Sequence, residues 1–246
     1  MAFTRRSFLA GLAACPLCAA AARAEGAHWT YDDPQHWGAH DEAAKACSLG
    51  GEQSPIDLAD TVKADIRPPK LGWKPQAFEI VNNGHTIQAN GAAGGGVAEL
   101  DGRKFELKQF HFHTPSEHAL GGKRLAMEAH FVHAGDNGDL LVVGSFLVAG
   151  APNKALSVVM AAAPKEEGKT VLKAPLDASA LLPKGKKFFR YEGSLTTPPC
   201  SEVVHWNIFA EPVAVAQADI DAFKTLFPMN ARPLQPTHRR IVLSGG

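Results

Sequence analysis

The chain has 246 residues, 45% of them hydrophobic, and its 25 Lys and Arg balance its 25 Asp and Glu. This length and composition fit one globular domain that buries a large core. The charges cancel and are spread along the chain, which argues against nucleic acid as a partner and favours a small substrate with little charge.

The N-terminus has the features of an export signal, predicted over residues 1–24. Arg5 and Arg6 precede an apolar run over residues 8–22, and Ala-Arg-Ala at 22–24 is typical of a cleavage site. The run is shorter than the about 20 residues that a helical span needs, so no stable membrane span is predicted. "TRRSFLA" resembles a twin-arginine leader, which predicts a periplasmic protein, with the mature domain over 25–246.

Two other interpretations of the leader stay open. The arginine pair can occur by chance in an ordinary secretory signal, which also predicts export. The sequence "LAAC", ending at Cys15, matches a lipidation box, although the apolar stretch before it is very short. A lipoprotein is therefore the less favoured alternative.

The cysteines also suggest export. Cys15 and Cys18 lie in the leader, so Cys47 and Cys200 are the only possible pair in the mature chain. In an oxidising compartment such a pair is expected to form a disulfide. Two buried free thiols are the alternative.

Residues 80–148 contain short apolar or alternating runs separated by Gly, Asn and Asp, which predict successive strands. Asp101-Gly102 and Asn137-Gly138 have the chemistry of hairpin turns, so neighbouring strands are predicted to be antiparallel. Helical periodicity is clear in only two segments, 153–164 and 216–227. The sequence thus predicts one mainly β (α+β) domain with short peripheral helices.

The stretch "QFHFHTPSEH" begins at Gln109 and places histidines at alternate positions of a predicted strand. Side chains of a strand alternate between its faces, so Gln109, His111 and His113 share one face and Phe110 and Phe112 the other. A single histidine on a strand is more often a buried structural residue than a ligand. Two on one face can converge on one point in front of the sheet.

The next predicted strand, "AMEAHFVH", repeats this pattern with Glu128 and His130 on a common face. Metal-bound histidines commonly donate their second ring N–H to such an acidic or amide partner. Three imidazoles leave one tetrahedral position open on zinc, as in catalytic sites, although copper and iron also accept imidazole. His133 has the wrong parity to join His130, and we assign His118, His133 and His205 structural roles.

Five stretches in order carry a resemblance to a known family: "EQSPIDL", "NNGH", "QFHFHTPSEH", "MEAHFVH" and "YEGSLTTPPCSEVVHW". Together they resemble an alpha-class carbonic anhydrase of the bacterial, exported kind, from about Trp29 to the C-terminus. The resemblance implies a large, twisted, mostly antiparallel sheet of about ten strands. It also implies reversible hydration of carbon dioxide to bicarbonate and a proton, by attack of zinc-bound hydroxide with histidine-mediated proton transfer.

The resemblance further implies roles for individual residues. The implied Zn²⁺ ligands are His111, His113 and His130. Their implied hydrogen-bond partners are Gln109, Glu128 and the main-chain carbonyl of Asn230. Thr196 would accept a hydrogen bond from the hydroxide and donate one to Glu117, and His85 would be the proton shuttle.

Two further groups are implied around the metal. The implied substrate pocket consists of Val132, Val142, Leu195, Thr197 and Trp206, mainly an apolar wall for uncharged carbon dioxide. The implied water network consists of Tyr31, Asn83 and Gln88, where Gln88 stands in place of a frequent Asn. A monomer or a homodimer is expected.

A non-catalytic zinc-binding periplasmic protein of the same fold is the alternative function. The sequence argues against it because it keeps the three implied ligands together with Glu117 and Thr196, which a binding protein does not need. A periplasmic zinc reservoir is a third hypothesis, and it would not require the apolar wall.

Overall fold

The computed structural model describes residues 29–246. The predicted leader over 1–24, with its arginine pair, Cys15 and Cys18, lies outside the described residues. The helices of the described part are α1 (Trp37–His40), α2 (Ala46–Leu49), α3 (Lys154–Ala162) and α4 (Gln217–Leu226), with 3-10 turns at Glu42–Ala44 and Ala178–Leu181. No helix in residues 29–246 is both long and apolar enough to cross a membrane.

The strands are numbered in chain order. They are β1 (Thr61–Lys63), β2 (Lys70–Trp73), β3 (Glu79–Asn82), β4 (Ile87–Asn90), β5 (Gly96–Leu100), β6 (Arg103–His113), β7 (Ala119–Leu120), β8 (Lys123–Arg124), β9 (Met127–Ala134), β10 (Leu140–Ala149), β11 (Gly168–Val171), β12 (Phe188–Gly193), β13 (Val204–Val215) and β14 (Val242–Gly245).

One sheet of 12 strands dominates the fold, in the order β1-β14-β12-β13-β10-β9-β6-β4-β3-β11, with β5 and then β2 also paired from β6. This confirms the fold class, with more strands than the about ten expected. The edge strands β1 and β11 have three and four residues, and β11 is exposed throughout, so neither has a hydrophobic pattern that predicts it. Strand pairs are antiparallel except β1 with β14 and β10 with β13, which are parallel.

Both predicted hairpin turns are present. Asp101 and Gly102, with φ of 49° and 81°, join β5 to β6, and Gly138, with φ of 82°, lies in the turn between β9 and β10. Positive φ at both central residues is the reason that Asp-Gly suits a two-residue hairpin turn. The turns therefore set the register of the central strands.

Both predicted helices are also present. Asn153 caps α3, since its side-chain oxygen accepts hydrogen bonds from the N–H groups of Ala155 and Leu156. Helix α4 buries Ile220 and Phe223. Helices α1 and α2 have four residues each, too few to show helical periodicity in the sequence.

The two faces of the sheet bury different clusters. The larger cluster includes Phe110, Phe112 and Phe131 and packs under α3 and α4, through residues such as Phe223. The smaller cluster on the opposite face contains Trp206 and its neighbours. A third cluster joins the N-terminal segment to Cys200, in the loop between β12 and β13, and the predicted disulfide between Cys47 and Cys200 is confirmed.

Candidate metal centre and active-site pocket

Strand parity and register bring three histidines to one point. Phe110 and Phe112 are fully buried in the larger cluster, so His111 and His113 point to the other face of β6. Strands β6 and β9 pair antiparallel with His111 directly opposite His130. One ring nitrogen of each histidine therefore lies within 4.8 Å of the other two.

Each of these histidines is held through its remaining ring nitrogen by an acceptor. The contacts are His111 Nδ1 with Gln109 Oε1 at 2.8 Å, His113 Nδ1 with the Asn230 carbonyl at 2.8 Å, and His130 Nε2 with Glu128 Oε1 at 2.9 Å. Because an amide oxygen, a carbonyl and a carboxylate all accept, each ring places its hydrogen there. The nitrogens that face the centre, Nε2 of His111 and His113 and Nδ1 of His130, then carry lone pairs.

Burial and mutual repulsion disfavour the protonation of His111 and His113, which leaves their ring nitrogens suited to a cation. Burial lowers the pKa of His111 well below its ordinary value, and the neighbouring His113 and His130 lower it further. Burial also lowers the pKa of His113, although Glu117 opposes this. Burial is the largest effect on His130 and opposes its protonation too. The charge and hydrogen bond of Glu128 and the charge of Glu117 together outweigh burial, so the pKa of His130 is raised. A cation at the centre would satisfy all three rings.

The three ring nitrogens that face the centre have the chemistry of zinc ligands. His113 Nε2 is buried and has no hydrogen-bond partner among the described residues. Such atoms are rare in proteins and call for an explanation. Three imidazole nitrogens with an open fourth direction match the ligands that zinc takes in catalytic sites. The residues present therefore fit the implied metal.

The three histidines form part of the wall of a cavity of about 160 Å³. Most of the residues that the resemblance implied line the same cavity. They are Tyr31, Asn83, His85, Gln88, Gln109, Val132, Val142, Leu195, Thr196, Thr197 and Trp206. Glu117, Glu128 and Asn230 lie behind the wall, buried against the histidines.

Glu117 differs from the expectation in its hydrogen bonds. Its Oε1 accepts from the backbone N–H of Arg232 at 2.9 Å, and its buried Oε2 has no hydrogen-bond partner in the described part of the chain. The predicted bond from Thr196 to Glu117 is thus absent from this structure. Instead, Glu117 Oε2 lies 3.5 Å from His113 Nε2 and 3.8 Å from His130 Nδ1, the two ring nitrogens that face the centre.

His85 lies half-buried at the pocket, in the turn that leads into β4. Asn83 Oδ1 accepts hydrogen bonds from the N–H groups of His85 and Thr86, which shapes this turn. Asn230, whose carbonyl holds His113, also donates from its amide to the His85 carbonyl at 3.0 Å. One residue, through its carbonyl and its side-chain amide, therefore connects the turn at the pocket to His113.

Two lining residues were missed by the sequence analysis, Trp29 and Thr86. The Trp29 ring stacks on His85, and Thr86 donates to the Phe112 carbonyl in β6. Trp29 lies in no strand or helix, so no periodicity marks it. The one feature of the sequence that could have indicated a role for Trp29 is the aromatic Tyr31 two positions later.

The histidines assigned to structural roles lie outside the cavity lining. His118 is buried between Glu128 and Tyr191. His133 is on the opposite face of β9, where it accepts from Trp73. His205 pairs with carboxylates near the surface.

Comparisons with known proteins agree with this geometry. The family model described as eukaryotic-type carbonic anhydrase matches residues 32–245. A carbonic anhydrase of Neisseria gonorrhoeae is 42% identical over 236 residues, 94% of each chain. The alpha-carbonic anhydrase of Thermovibrio ammonificans, solved with the inhibitor sulfanilamide, has a TM-score of 0.86 and 43% identity, covering 89% of this chain and 99% of its own.

A further solved structure, the alpha-carbonic anhydrase of Photobacterium profundum, has a TM-score of 0.82 at 42% identity and covers 88% of this chain and 100% of its own. The similarity thus spans the sheet, the pocket and nearly the full length of these relatives. This chain belongs to the eukaryotic-type, or alpha-class, family of carbonic anhydrases, enzymes that interconvert carbon dioxide and bicarbonate.

Proposed function

We propose that this chain hydrates carbon dioxide reversibly to bicarbonate and a proton, with zinc held by His111, His113 and His130. The observation that carries the proposal is the convergence of these three rings, each oriented by its own acceptor, in the wall of a cavity. The relatives named as carbonic anhydrases support it.

Zinc, when bound there, would acidify a water ligand to a pKa of about 7, carbonic anhydrases being the standard example, and so supply a nucleophile near neutral pH. Gln109, Glu128 and Asn230 fix the orientation of the three imidazole rings. The lone pairs of the three histidines therefore point to the metal position even without metal. Because the ligands are already ordered, less conformational entropy is lost when the metal binds.

The substrate is proposed to lie against the apolar part of the pocket. Val132, Val142, Leu195 and Trp206 line it beside the histidines. Trp206 donates its ring N–H to the Ser194 carbonyl at 3.1 Å, so its polar atom is already committed. Carbon dioxide has no net charge, so contact with an apolar wall can hold it without ion pairs.

Thr196 is proposed to orient the attacking water. Its side chain is almost fully buried, and its hydroxyl would accept a hydrogen bond from the nucleophile while its N–H meets the developing negative oxygen. The loop that carries it is held by backbone bonds from Cys200 to Thr197 at 2.9 Å and from Leu195 to Ser201 at 3.0 Å. Thr196 is therefore placed by a fixed loop.

Each turnover releases a proton that must reach solvent. His85 is proposed to carry it, since an imidazole exchanges protons near neutral pH and this one lies at the pocket. Tyr31, Asn83 and Gln88 line the same cavity as the three histidines and His85, and would order waters there.

Export completes the proposal. The sequence of residues 1–24 supports a twin-arginine signal that delivers a catalytic domain, residues 25–246, to the periplasm. The disulfide between Cys47 and Cys200 suits an oxidising compartment. Mass spectrometry of the mature protein from the periplasm would give its N-terminus.

The deciding experiment is stopped-flow carbon dioxide hydration on metal-quantified protein. Wild type should bind one zinc per chain and hydrate carbon dioxide, whereas His111→Ala should lose both properties. His36→Ala, which changes an exposed histidine paired with Asp33, is the matched control and should equal wild type. Wild type that binds zinc yet shows no hydration would instead support the non-catalytic binding protein.

A further inference from the structure

A buried row of polar side chains leads away from the metal-facing His130. Glu128 Oε1 accepts from His130 Nε2 at 2.9 Å and from His118 Nδ1 at 2.8 Å, and Oε2 accepts from the His118 backbone N–H at 2.9 Å. All three residues are at most 1% exposed. One carboxylate therefore takes three N–H donors with no contribution from solvent.

The row continues to the loop that carries Thr196. His118 Nε2 contacts the Tyr191 hydroxyl at 2.7 Å, and that hydroxyl is 2.9 Å from Ser54 Oγ. Ser54 Oγ accepts from the backbone N–H of Ser194 at 3.1 Å, two positions before Thr196. We call Ser54, Tyr191, His118 and Glu128 the Ser54–Glu128 chain. At its outer end, Ser54 accepts from the backbone N–H of Ser194, which can only donate.

The charge of Glu128 fixes the hydrogens at the inner end of this chain. Glu128, ionised among three N–H donors, can only accept, so His130 and His118 both present a hydrogen to it. At the other side of its ring, His118 Nε2 contacts the Tyr191 hydroxyl, which donates to Ser54 Oγ. Each side chain of the row thus has a hydrogen-bonding neighbour on both sides, and such rows strengthen cooperatively.

We propose that Ser54, Tyr191 and His118 are positioning residues that, through Glu128, hold His130 with Nδ1 facing the metal centre. This inference rests on the proposed zinc site. His118 donates to both oxygens of Glu128, from its backbone N–H to Oε2 and from Nδ1 to Oε1, and these two bonds hold the carboxylate in one position. The orientation of the His130 ring therefore depends on side chains that do not contact the metal.

Tyr191→Phe tests the proposal because it removes only the hydroxyl. We expect zinc to dissociate into excess chelator about 10-fold faster than from wild type, the lower end of the effect of removing a ligand's direct partner. The visible absorption of the Co²⁺-substituted variant should also shift, since the geometry of the His130 ligand changes. Ser54→Ala should act in the same direction with a smaller change.

Ser145→Ala is the matched control. Ser145 is fully buried and its hydroxyl donates to the Leu181 carbonyl at 2.7 Å, away from the Ser54–Glu128 chain. Like Tyr191→Phe, it should lower the melting temperature of the metal-free protein, but zinc dissociation and the Co²⁺ spectrum should stay as in wild type.

The outcomes separate this inference from the proposed function. Wild type that binds zinc while Tyr191→Phe and Ser54→Ala release it at the wild-type rate would overturn the positioning role alone. Wild type that fails to bind one zinc per chain would overturn the proposed function and this inference together. If Tyr191→Phe does not fold, Ser54→Ala decides by the same two measurements.

Discussion

The indole ring of Trp29 stacks on the imidazole of His85, with ring centroids 3.8 Å apart and planes 9° from parallel. Trp29 also contacts Tyr31 and Trp37 edge to face, so it is anchored in the aromatic N-terminal cluster. The stacking holds the imidazole at the cavity, where a proton carrier needs to be. The N-terminal segment therefore belongs to the pocket, although it lies before the first strand.

Replacing His85 tests the proposed proton path. His85→Ala should lower kcat at neutral pH in dilute buffer on the order of 10- to 100-fold, because proton release then depends on water and buffer alone. Stopped-flow assays with added imidazole should restore most of the loss, and the exchange of carbon dioxide with bicarbonate at equilibrium should be nearly unchanged. Unaltered kcat without added buffer would exclude His85 as the carrier.

Replacing Thr196 tests the orientation of the nucleophile. Thr196→Ala should lower kcat/KM for hydration about 100-fold, comparable to the loss of one preorganised donor at a reaction centre. Thr196→Ser keeps the hydroxyl and should retain most of the activity. Zinc content, measured in parallel, should be one per chain in all three proteins. Equal rates for the alanine and serine variants would show that the hydroxyl has no such role.

The disulfide should stabilise the fold. It joins residues 153 positions apart, and its Cys200 end is four residues after Thr196. Cys47→Ser with Cys200→Ser should lower the free energy of unfolding by about 2–5 kcal/mol, measured by urea titration. Wild type treated with reductant should approach the variant, whereas the variant itself should not respond. A variant as stable as wild type would contradict this expectation.

Acid stability should depend on His133. Burial lowers the pKa of this histidine to about 4, although the Leu141 and Phe131 carbonyl groups oppose the effect. In the unfolded chain its pKa is about 6.5, so between these values the unfolded state binds a proton that the folded state does not. The free energy of unfolding should therefore fall as the pH drops from about 6.5 to 4, by about 3 kcal/mol from this residue.

The matched variant is His133→Gln. The ring of His133 lies 3.0 Å from the Leu141 carbonyl, to which it donates, and accepts from Trp73 at 3.0 Å, and an amide can do both without titrating. Urea titrations at pH 7 and pH 4.5 should show a smaller loss of stability for the variant than for wild type. Identical losses would mean that His133 does not titrate on unfolding.

The sequence alone determined the features that depend on alternation and turn chemistry. Side chains of a strand alternate whatever surrounds them, so His111 and His113 had to share a face with Phe112 on the other. Asp101-Gly102 had to suit a hairpin because its backbone must take positive φ. The motif resemblance, rather than physical reasoning, supplied the expected places of Thr196 and Asn230.

Only the tertiary structure decided which distant groups meet. The register of β6 with β9 puts His111 opposite His130, and the Asn230 carbonyl reaches His113 across 117 positions of sequence. Packing of the N-terminal segment brings Trp29 to His85, and the hydrogen-bond donor to Glu117 differs from the one that its motif implied. Local propensity fixes periods and turns within a few residues, whereas these contacts depend on how separate segments fill a common core, which no local pattern contains.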